Sequence, residues 1–143
     1  MRTFTRRGAL MMPVAALAQT QRLRLTGRWH ARMGARQFGG TFTVEPFKEP
    51  VDVGGLWQML NDRGEAVLGG DWSARKRESS WDGGWWGKTS GGAEYTGGWA
   101  AKTRLAPGLP LIAMFRSAVR QPISGTWTSD NGRRGTWTVW VDE

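Results

Sequence analysis

The sequence contains no cysteine and only one histidine among its 143 residues. The absence of cysteine excludes disulfides, thiolate–zinc sites and thiol nucleophiles, and a single histidine excludes a multi-histidine metal site. No apolar run is long enough to form a membrane-spanning helix in a mature chain. What the sequence does have is ten tryptophans and 21 glycines, with 22% charged residues. This composition is not that of a disordered chain, and the length predicts one domain.

Residues 1–18 have the pattern of an export signal. Three arginines at positions 2, 6 and 7 precede a short apolar stretch that ends in Ala16-Leu17-Ala18, a small-x-small cleavage pattern. The paired arginines also resemble a twin-arginine motif, so either the Sec or the twin-arginine route is open. Cleavage after residue 18 would remove three arginines and no acidic residue, which lowers the formal net charge from +8 to +5. We predict a periplasmic or secreted domain at 19–143; the alternative is an attached amphipathic helix.

The most informative pattern is a recurring Gly-x-aromatic unit. We assign eight units, whose glycines are 13, 15, 15, 14, 13, 28 and 10 residues apart. A step of this size equals one strand and one turn, repeated along the chain. The units are Gly27-Arg28-Trp29, Gly40-Thr41-Phe42, Gly55-Leu56-Trp57, Gly70-Asp71-Trp72, Gly84-Trp85-Trp86, Gly97-Gly98-Trp99, Gly125-Thr126-Trp127 and Gly135-Thr136-Trp137.

Each unit is typical of a β-strand. Trp, Phe, Thr and Val favour strands, and apolar residues alternate with polar ones, as in Trp137, Val139 and Val141. Glycine lies on the same face as the aromatic two positions later, so a ring on a neighbouring strand can cover it. Short turns such as Asp130-Asn131-Gly132 predict sequential antiparallel strands. The predicted fold is all-β: an up-and-down meander of about eight strands, closed into a small barrel.

The interval of 28 residues contains a different pattern. Apolar residues at 111, 112, 115, 118 and 119 follow helical spacing, between Pro110 and Pro122. We predict one short helix at 111–121, packed on the barrel or across one of its ends. A ninth strand is the alternative, because 28 is two steps of 14.

Ten tryptophans exceed what a small core requires, which raises the possibility of a binding surface. Motif aromatics are expected to fill the barrel, whereas Trp85 and Trp140 lie on the face opposite their motif neighbours. An exposed indole can stack on a sugar ring, a base or an acyl chain. The alternative is a second packing layer or a dimer contact. The candidate ligand-binding residues are Trp81, Trp85, Trp86, Tyr95, Trp99 and Trp140.

Basic residues form a second candidate surface. Arg22, Arg24, Arg28, His30 and Arg32 occupy even positions and so share one face of an extended segment. Arginine binds phosphate and carboxylate through two parallel hydrogen bonds, so the four arginines are candidate anion-binding residues. The alternative is a solvated strand face that discourages edge-to-edge aggregation.

The sequence shows no catalytic site, metal site or cofactor motif. His30 has no serine or aspartate arrangement around it, and no glycine pair precedes a Lys-Ser/Thr phosphate loop. Asp71, Glu78, Asp82 and Glu94 include possible carboxylate pairs for glycoside hydrolysis, the least favoured hypothesis.

The Gly-Thr-Trp units at 125–127 and 135–137 resemble the Gly-Thr-Trp and Gly-Thr-Tyr strands of the avidin family, whose members are eight-stranded meander barrels. The resemblance covers this three-residue unit alone. The polar ligand contacts of that family are not matched here, so biotin binding is not carried over.

The favoured hypothesis is an exported, non-catalytic binding module. Its ligand would be a saccharide or another flat or amphipathic molecule, held by Trp faces while arginines select for anions. A saccharide or an anionic envelope component is the expected partner, and nucleic acid is not favoured. The alternative is a structural or envelope-associated β-protein in which the tryptophans serve packing alone.

Overall fold

A computed structural model describes residues 24–46, 53–104 and 108–142. The predicted export signal at 1–18 lies outside the described residues, as does Arg22.

Eight antiparallel strands form a closed barrel, which confirms the predicted fold class. Each strand pairs with the next one in the chain, and the last strand pairs with the first, so the barrel has no open edge. The strands are β1 (Leu25–Met33), β2 (Arg36–Pro46), β3 (Val53–Leu60), β4 (Ala66–Arg77), β5 (Ser80–Thr89), β6 (Glu94–Ala101), β7 (Ile123–Ser129) and β8 (Arg134–Val141).

Four tight turns join the strands at one end of the barrel, which we call the mouth. They link β1 to β2, β3 to β4, β5 to β6 and β7 to β8. Each contains a glycine with positive φ, a conformation that side-chain-bearing residues rarely adopt: Gly34, Gly64, Gly92 and Gly132. In the β3–β4 turn the Asn61 side chain accepts hydrogen bonds from the backbone N–H groups of Arg63 and Glu65. Turn chemistry in the sequence therefore sets the hairpin connections.

Within these hairpins, glycines and aromatics face each other reciprocally. Trp29 on β1 lies opposite Gly40 on β2, and Phe42 on β2 lies opposite Gly27 on β1. The other three hairpins repeat this arrangement, with the pairs Trp57–Gly70, Trp72–Gly55, Trp85–Gly97, Trp99–Gly83, Trp127–Gly135 and Trp137–Gly125. The covering of glycine by a cross-strand ring, expected from the spacing, is thus present in all four hairpins.

One assigned unit was wrong by a single residue. In β5 the inward-facing unit is Gly83-Gly84-Trp85, because Gly83 pairs with Trp99 and Trp85 pairs with Gly97. Trp86, which the Gly84-Trp85-Trp86 unit places in the interior, lies on the outer face. The segment Gly83-Gly84-Trp85-Trp86 satisfies the Gly-x-Trp spacing in both registers, and only pairing with β6 selects between them.

A short helix, α1 (Leu111–Ser117), covers the end of the barrel opposite the mouth. It replaces the alternative ninth strand, and it ends four residues before the predicted boundary at 121. Leu111 and Phe115 are buried, and the Phe115 ring packs 5.4 Å from Trp72 and 5.3 Å from Trp81, between ring centroids. The most buried residues gather here, with Val44, Val53, Trp81 and Ile123 at most 1% exposed. We call this closed end the plug.

In the described part of the chain, no helix has the length and apolar character needed to cross a membrane.

Candidate ligand-binding cavity

The interior aromatics are arranged in two layers. Trp29, Trp57, Trp85 and Trp127 come from odd-numbered strands and form the mouth layer; Phe42, Trp72, Trp99 and Trp137 come from even-numbered strands and form the plug layer. Neighbouring rings within a layer make edge-to-face contacts, with centroids 5.9 Å apart for Trp57–Trp85 and 5.7 Å apart for Trp99–Trp137. This geometry is favourable for aromatic pairs, and it joins the strands across the barrel interior.

Most of the interior indole N–H groups are already hydrogen-bonded to the barrel wall. Trp29 Nε1 donates to the Gln58 carbonyl at 3.0 Å, and Trp85 Nε1 donates to the Thr128 carbonyl at 3.1 Å. The same carbonyl oxygens are the ones that a β-carbon at Gly40 or Gly97 would overlap. The missing side chain therefore lets each indole cross its partner strand and reach the strand beyond. Trp57 and Trp72 repeat this relation with Gly70 and Gly55.

A cavity of about 520 Å³ lies inside the barrel and opens at the mouth. Its wall includes all of the mouth layer, whose four indoles remain partly accessible inside the closed sheet. Met33, Phe38, Met59 and Leu68 line the opening on the β1–β4 side. The polar lining residues are concentrated on the β5–β8 side and comprise Thr89, Tyr95, Ser129, Asn131 and Arg133.

The predicted ligand-binding residues do not form one surface. Trp85, Trp99 and Tyr95 line the cavity, with Tyr95 40% exposed at the mouth. Trp81 also borders the cavity, but it is 1% exposed and its N–H donates to the Thr103 carbonyl at 2.8 Å. Trp81 is thus a plug residue with almost no exposed surface.

The two remaining predicted tryptophans lie outside the barrel. Trp86 is partly buried on the outer face, and its N–H donates to the Glu94 carboxylate at 2.9 Å. Trp140 is 37% exposed and lies opposite Arg28, where β8 pairs with β1. Trp140 and Arg28 border an outer groove of about 480 Å³, which His30 and Thr41 also line.

The predicted arginine face follows the outside of β1, away from the cavity. Arg24 forms an ion pair with Glu45 at 2.9 Å, and Arg28 forms a longer one with Asp142 at 3.8 Å. Arg32 is exposed near the mouth end of the strand. Because two of these arginines have acidic partners, the face is partly neutralised and does not form one continuous anion site.

Sequence reasoning missed Met33, Met59 and Arg133 as lining residues. The signal for Arg133 was available, because it lies two residues before Gly135 and four before Trp137, and so shares their inward face.

The acidic residues considered for glycoside hydrolysis do not line the cavity. Asp82 pairs with Arg77 at 3.2 Å, and Glu94 accepts from Trp86. Asp71, Asp82 and Glu94 lie on the outer face, and Glu78 lies in the β4–β5 turn. Across 24–46, 53–104 and 108–142, no three His, Asp or Glu side chains are grouped to bind a metal ion.

The geometry therefore defines a class of structure: an antiparallel barrel with one end plugged by a helix and an apolar cavity open at the other. Comparisons with protein-family models, curated proteins and solved structures find no match for this chain.

Proposed function

We propose that this chain is an exported, non-catalytic binding module that holds one small amphipathic molecule inside its barrel. The observation that carries the proposal is the incompletely filled interior: four mouth-layer indoles face a cavity of about 520 Å³ with an opening to solvent. The interior of an eight-stranded barrel is either filled by side chains or holds one small ligand, and this cavity volume falls in the range typical of small-molecule sites.

The chemistry of the lining favours a ligand with an apolar body. The indole N–H groups of Trp29, Trp57 and Trp85 donate hydrogen bonds to backbone carbonyls. These side chains therefore present ring surface, and few free donors, to the cavity. A saccharide buried there would lose water hydrogen bonds without replacing them, a cost of about 1–3 kcal/mol for each unpaired group. An acyl chain or a flat apolar ring makes no hydrogen bonds to water, so its burial in the cavity carries no such cost.

Support for export comes from the sequence. The basic start, short apolar stretch and Ala-x-Ala ending of residues 1–18 are typical of a cleaved signal, and a cysteine-free body does not depend on an oxidising compartment.

Binding can be tested with N-phenyl-1-naphthylamine, a neutral apolar dye that accepts excitation energy from tryptophan. We expect saturable energy transfer to one dye per chain, reversed by decanol. Met59→Arg, which places a charge at the cavity opening, should weaken dye binding at least tenfold. Gln58→Arg is the matched control, because Gln58 is the preceding residue on the same strand and is exposed on the outer face.

Failure of the folded chain to bind the dye or decanol would overturn this proposal and favour the structural alternative. Equal loss of binding in Met59→Arg and Gln58→Arg would also contradict it, because the dye would then be binding outside the barrel.

A saccharide remains a second candidate ligand, at a different place. The outer groove combines the 37% exposed Trp140 with Arg28 and His30. An exposed indole can stack on a sugar ring while an arginine binds an acidic substituent. Titration with acidic oligosaccharides should then give binding that Trp140→Ala abolishes and Thr138→Ala preserves. Binding unaffected by Trp140→Ala would exclude this groove.

A further inference from the structure

The hairpin between β7 and β8 aims one charged residue at the cavity. Gly132, with φ of 87°, allows the tight turn, and Gly132 N donates to the Ser129 carbonyl at 3.0 Å. Ser129 N donates to the Arg133 carbonyl at 2.9 Å. The Asn131 side chain accepts from Ser129 Oγ and from Arg133 N. These contacts fix the backbone at residue 133, just before β8 begins, and the Arg133 side chain lines the cavity.

Arg133 is the one charged side chain among the described residues that line the cavity, and no acid accompanies it there. Arg133 forms no ion pair within the described residues, unlike Arg24, Arg28 and Arg77, so it has no carboxylate within 4.0 Å in that part of the chain. Arg133 is exposed to solvent at this apolar opening, and its guanidinium can form charge-assisted hydrogen bonds to an anion that enters there.

The opening is also divided by polarity. Ser129, Asn131 and Thr89 lie on the same side as Arg133 and offer hydroxyl and amide groups. Met33, Phe38 and Met59 form the opposite side. A bound molecule can therefore place a charged end against β5–β8 while its apolar body contacts the mouth-layer rings.

We infer that the ligand is an amphipathic anion, with an oxyanion head group that Arg133 binds and an apolar body that enters the barrel. This inference rests on the proposed function and specifies its ligand class. A planar carboxylate fits the two parallel N–H donors of a guanidinium, so a carboxylate is the head group to test first.

The experiment measures displacement of N-phenyl-1-naphthylamine from the full chain by ten-carbon competitors. Decanoate, decanol and decyltrimethylammonium share an apolar chain and differ in head-group charge. Charged hydrogen bonds stabilise enough to change affinity by tenfold or more, so we expect decanoate to bind at least tenfold more tightly than decanol. The cation should bind more weakly than decanol.

Arg133→Gln should reduce the decanoate-to-decanol affinity ratio to near one, and Arg133→Lys should retain an intermediate ratio. Arg134→Gln is the matched control: it removes the same charge from the next residue, which faces outward, and should keep the wild-type ratio. Thermal unfolding of each variant verifies that the barrel is intact.

Two results would overturn this inference while leaving the proposed function standing: equal affinity for decanoate and decanol in the wild type, or an unchanged ratio in Arg133→Gln. If neither the dye nor any competitor binds, both proposals fail together.

Discussion

The plug and the mouth are built from the same Gly-x-aromatic units but differ in what lies against them. At the plug, α1 places Phe115 against Phe42, Trp72 and Trp81, and Phe42, Trp81 and Phe115 are at most 6% exposed. At the mouth no element covers the Trp29–Trp57–Trp85–Trp127 layer within the described residues, and the rings border a cavity. The plug-layer rings form the floor of the same cavity. The comparison teaches that one repeated unit is covered by a helix at one end and left uncovered at the other.

The largest effect should come from removing the helix ring. Phe115→Ala deletes a side chain that is 4% exposed at the centre of the plug, and such deletions cost about 3–5 kcal/mol of unfolding free energy. Phe38→Ala removes the same atoms from the partly exposed mouth and should cost about 1 kcal/mol. Urea denaturation measures both. Similar losses would mean that the two ends are packed equally, which would contradict the comparison.

The second-largest effect is expected when a glycine of a Gly-x-aromatic unit is replaced by alanine. A methyl group at Gly83 would overlap the Ser73 carbonyl oxygen and lie 2.8 Å from the Trp99 ring. Gly83→Ala should therefore destabilise the barrel by about 3 kcal/mol. At the outward-facing Gly84 the nearest atom would be 3.5 Å away, an ordinary contact, so Gly84→Ala should be close to neutral. Reversal of this order in chemical denaturation would restore the sequence assignment of Gly84-Trp85-Trp86.

A smaller difference in unfolding free energy is expected between two substitutions in the mouth layer. Trp85 Nε1 donates to the Thr128 carbonyl, whereas Trp127 Nε1 is buried with no hydrogen-bond partner among the described residues. Trp85→Phe and Trp127→Phe make the same change in volume, but only the first removes a hydrogen bond. Trp85→Phe should therefore be more destabilising by about 1 kcal/mol. Equal unfolding midpoints and slopes for the two variants would show that the indole donor contributes nothing.

The smallest effect should come from the outer face, which belongs to neither end. Arg28 and Asp142 are 3.8 Å apart, with their side chains 70% and 49% exposed. Solvent screening limits such a pair to a few tenths of a kcal/mol, so Arg28→Ala should change stability by less than about 0.5 kcal/mol. Thermal unfolding at low and high salt checks this. A large, salt-sensitive loss would show that charges on β1 stabilise the closure with β8.

Much of the architecture followed from sequence periodicity. Recurring Gly-x-aromatic units, separated by turn residues, predicted about eight sequential strands, because each strand alternates an apolar face with a polar one. A closed barrel was the favoured arrangement, but the motif fits an open sheet as well, and the pairing of β8 with β1 decides for closure. The helix between Pro110 and Pro122 was also predicted, although α1 ends at Ser117. The spacing could not decide between Trp85 and Trp86, since a shift of one residue satisfies the same motif and reverses the face.

The candidate site was harder to predict than the fold. Trp81 belongs to an aromatic-rich segment in which the sequence predicted a binding surface. It lies in the plug instead, because Phe115 of α1, distant in the chain, packs against its ring. Two-residue alternation from Gly135 and Trp137 places Arg133 on the inward face and Arg134 on the outward face, but only the closed barrel shows that this inward position borders an open cavity.

The sequence by itself determined strands, turns and the pairing of bare glycines with large rings, because these depend on local propensity and on two-residue alternation. Tertiary structure alone decided which end is closed, which indoles lie uncovered at the mouth and that the inward face at Arg133 borders an opening. Those properties depend on how many side chains meet in a finite interior, and that number is set by the closed sheet and its helix rather than by any one segment.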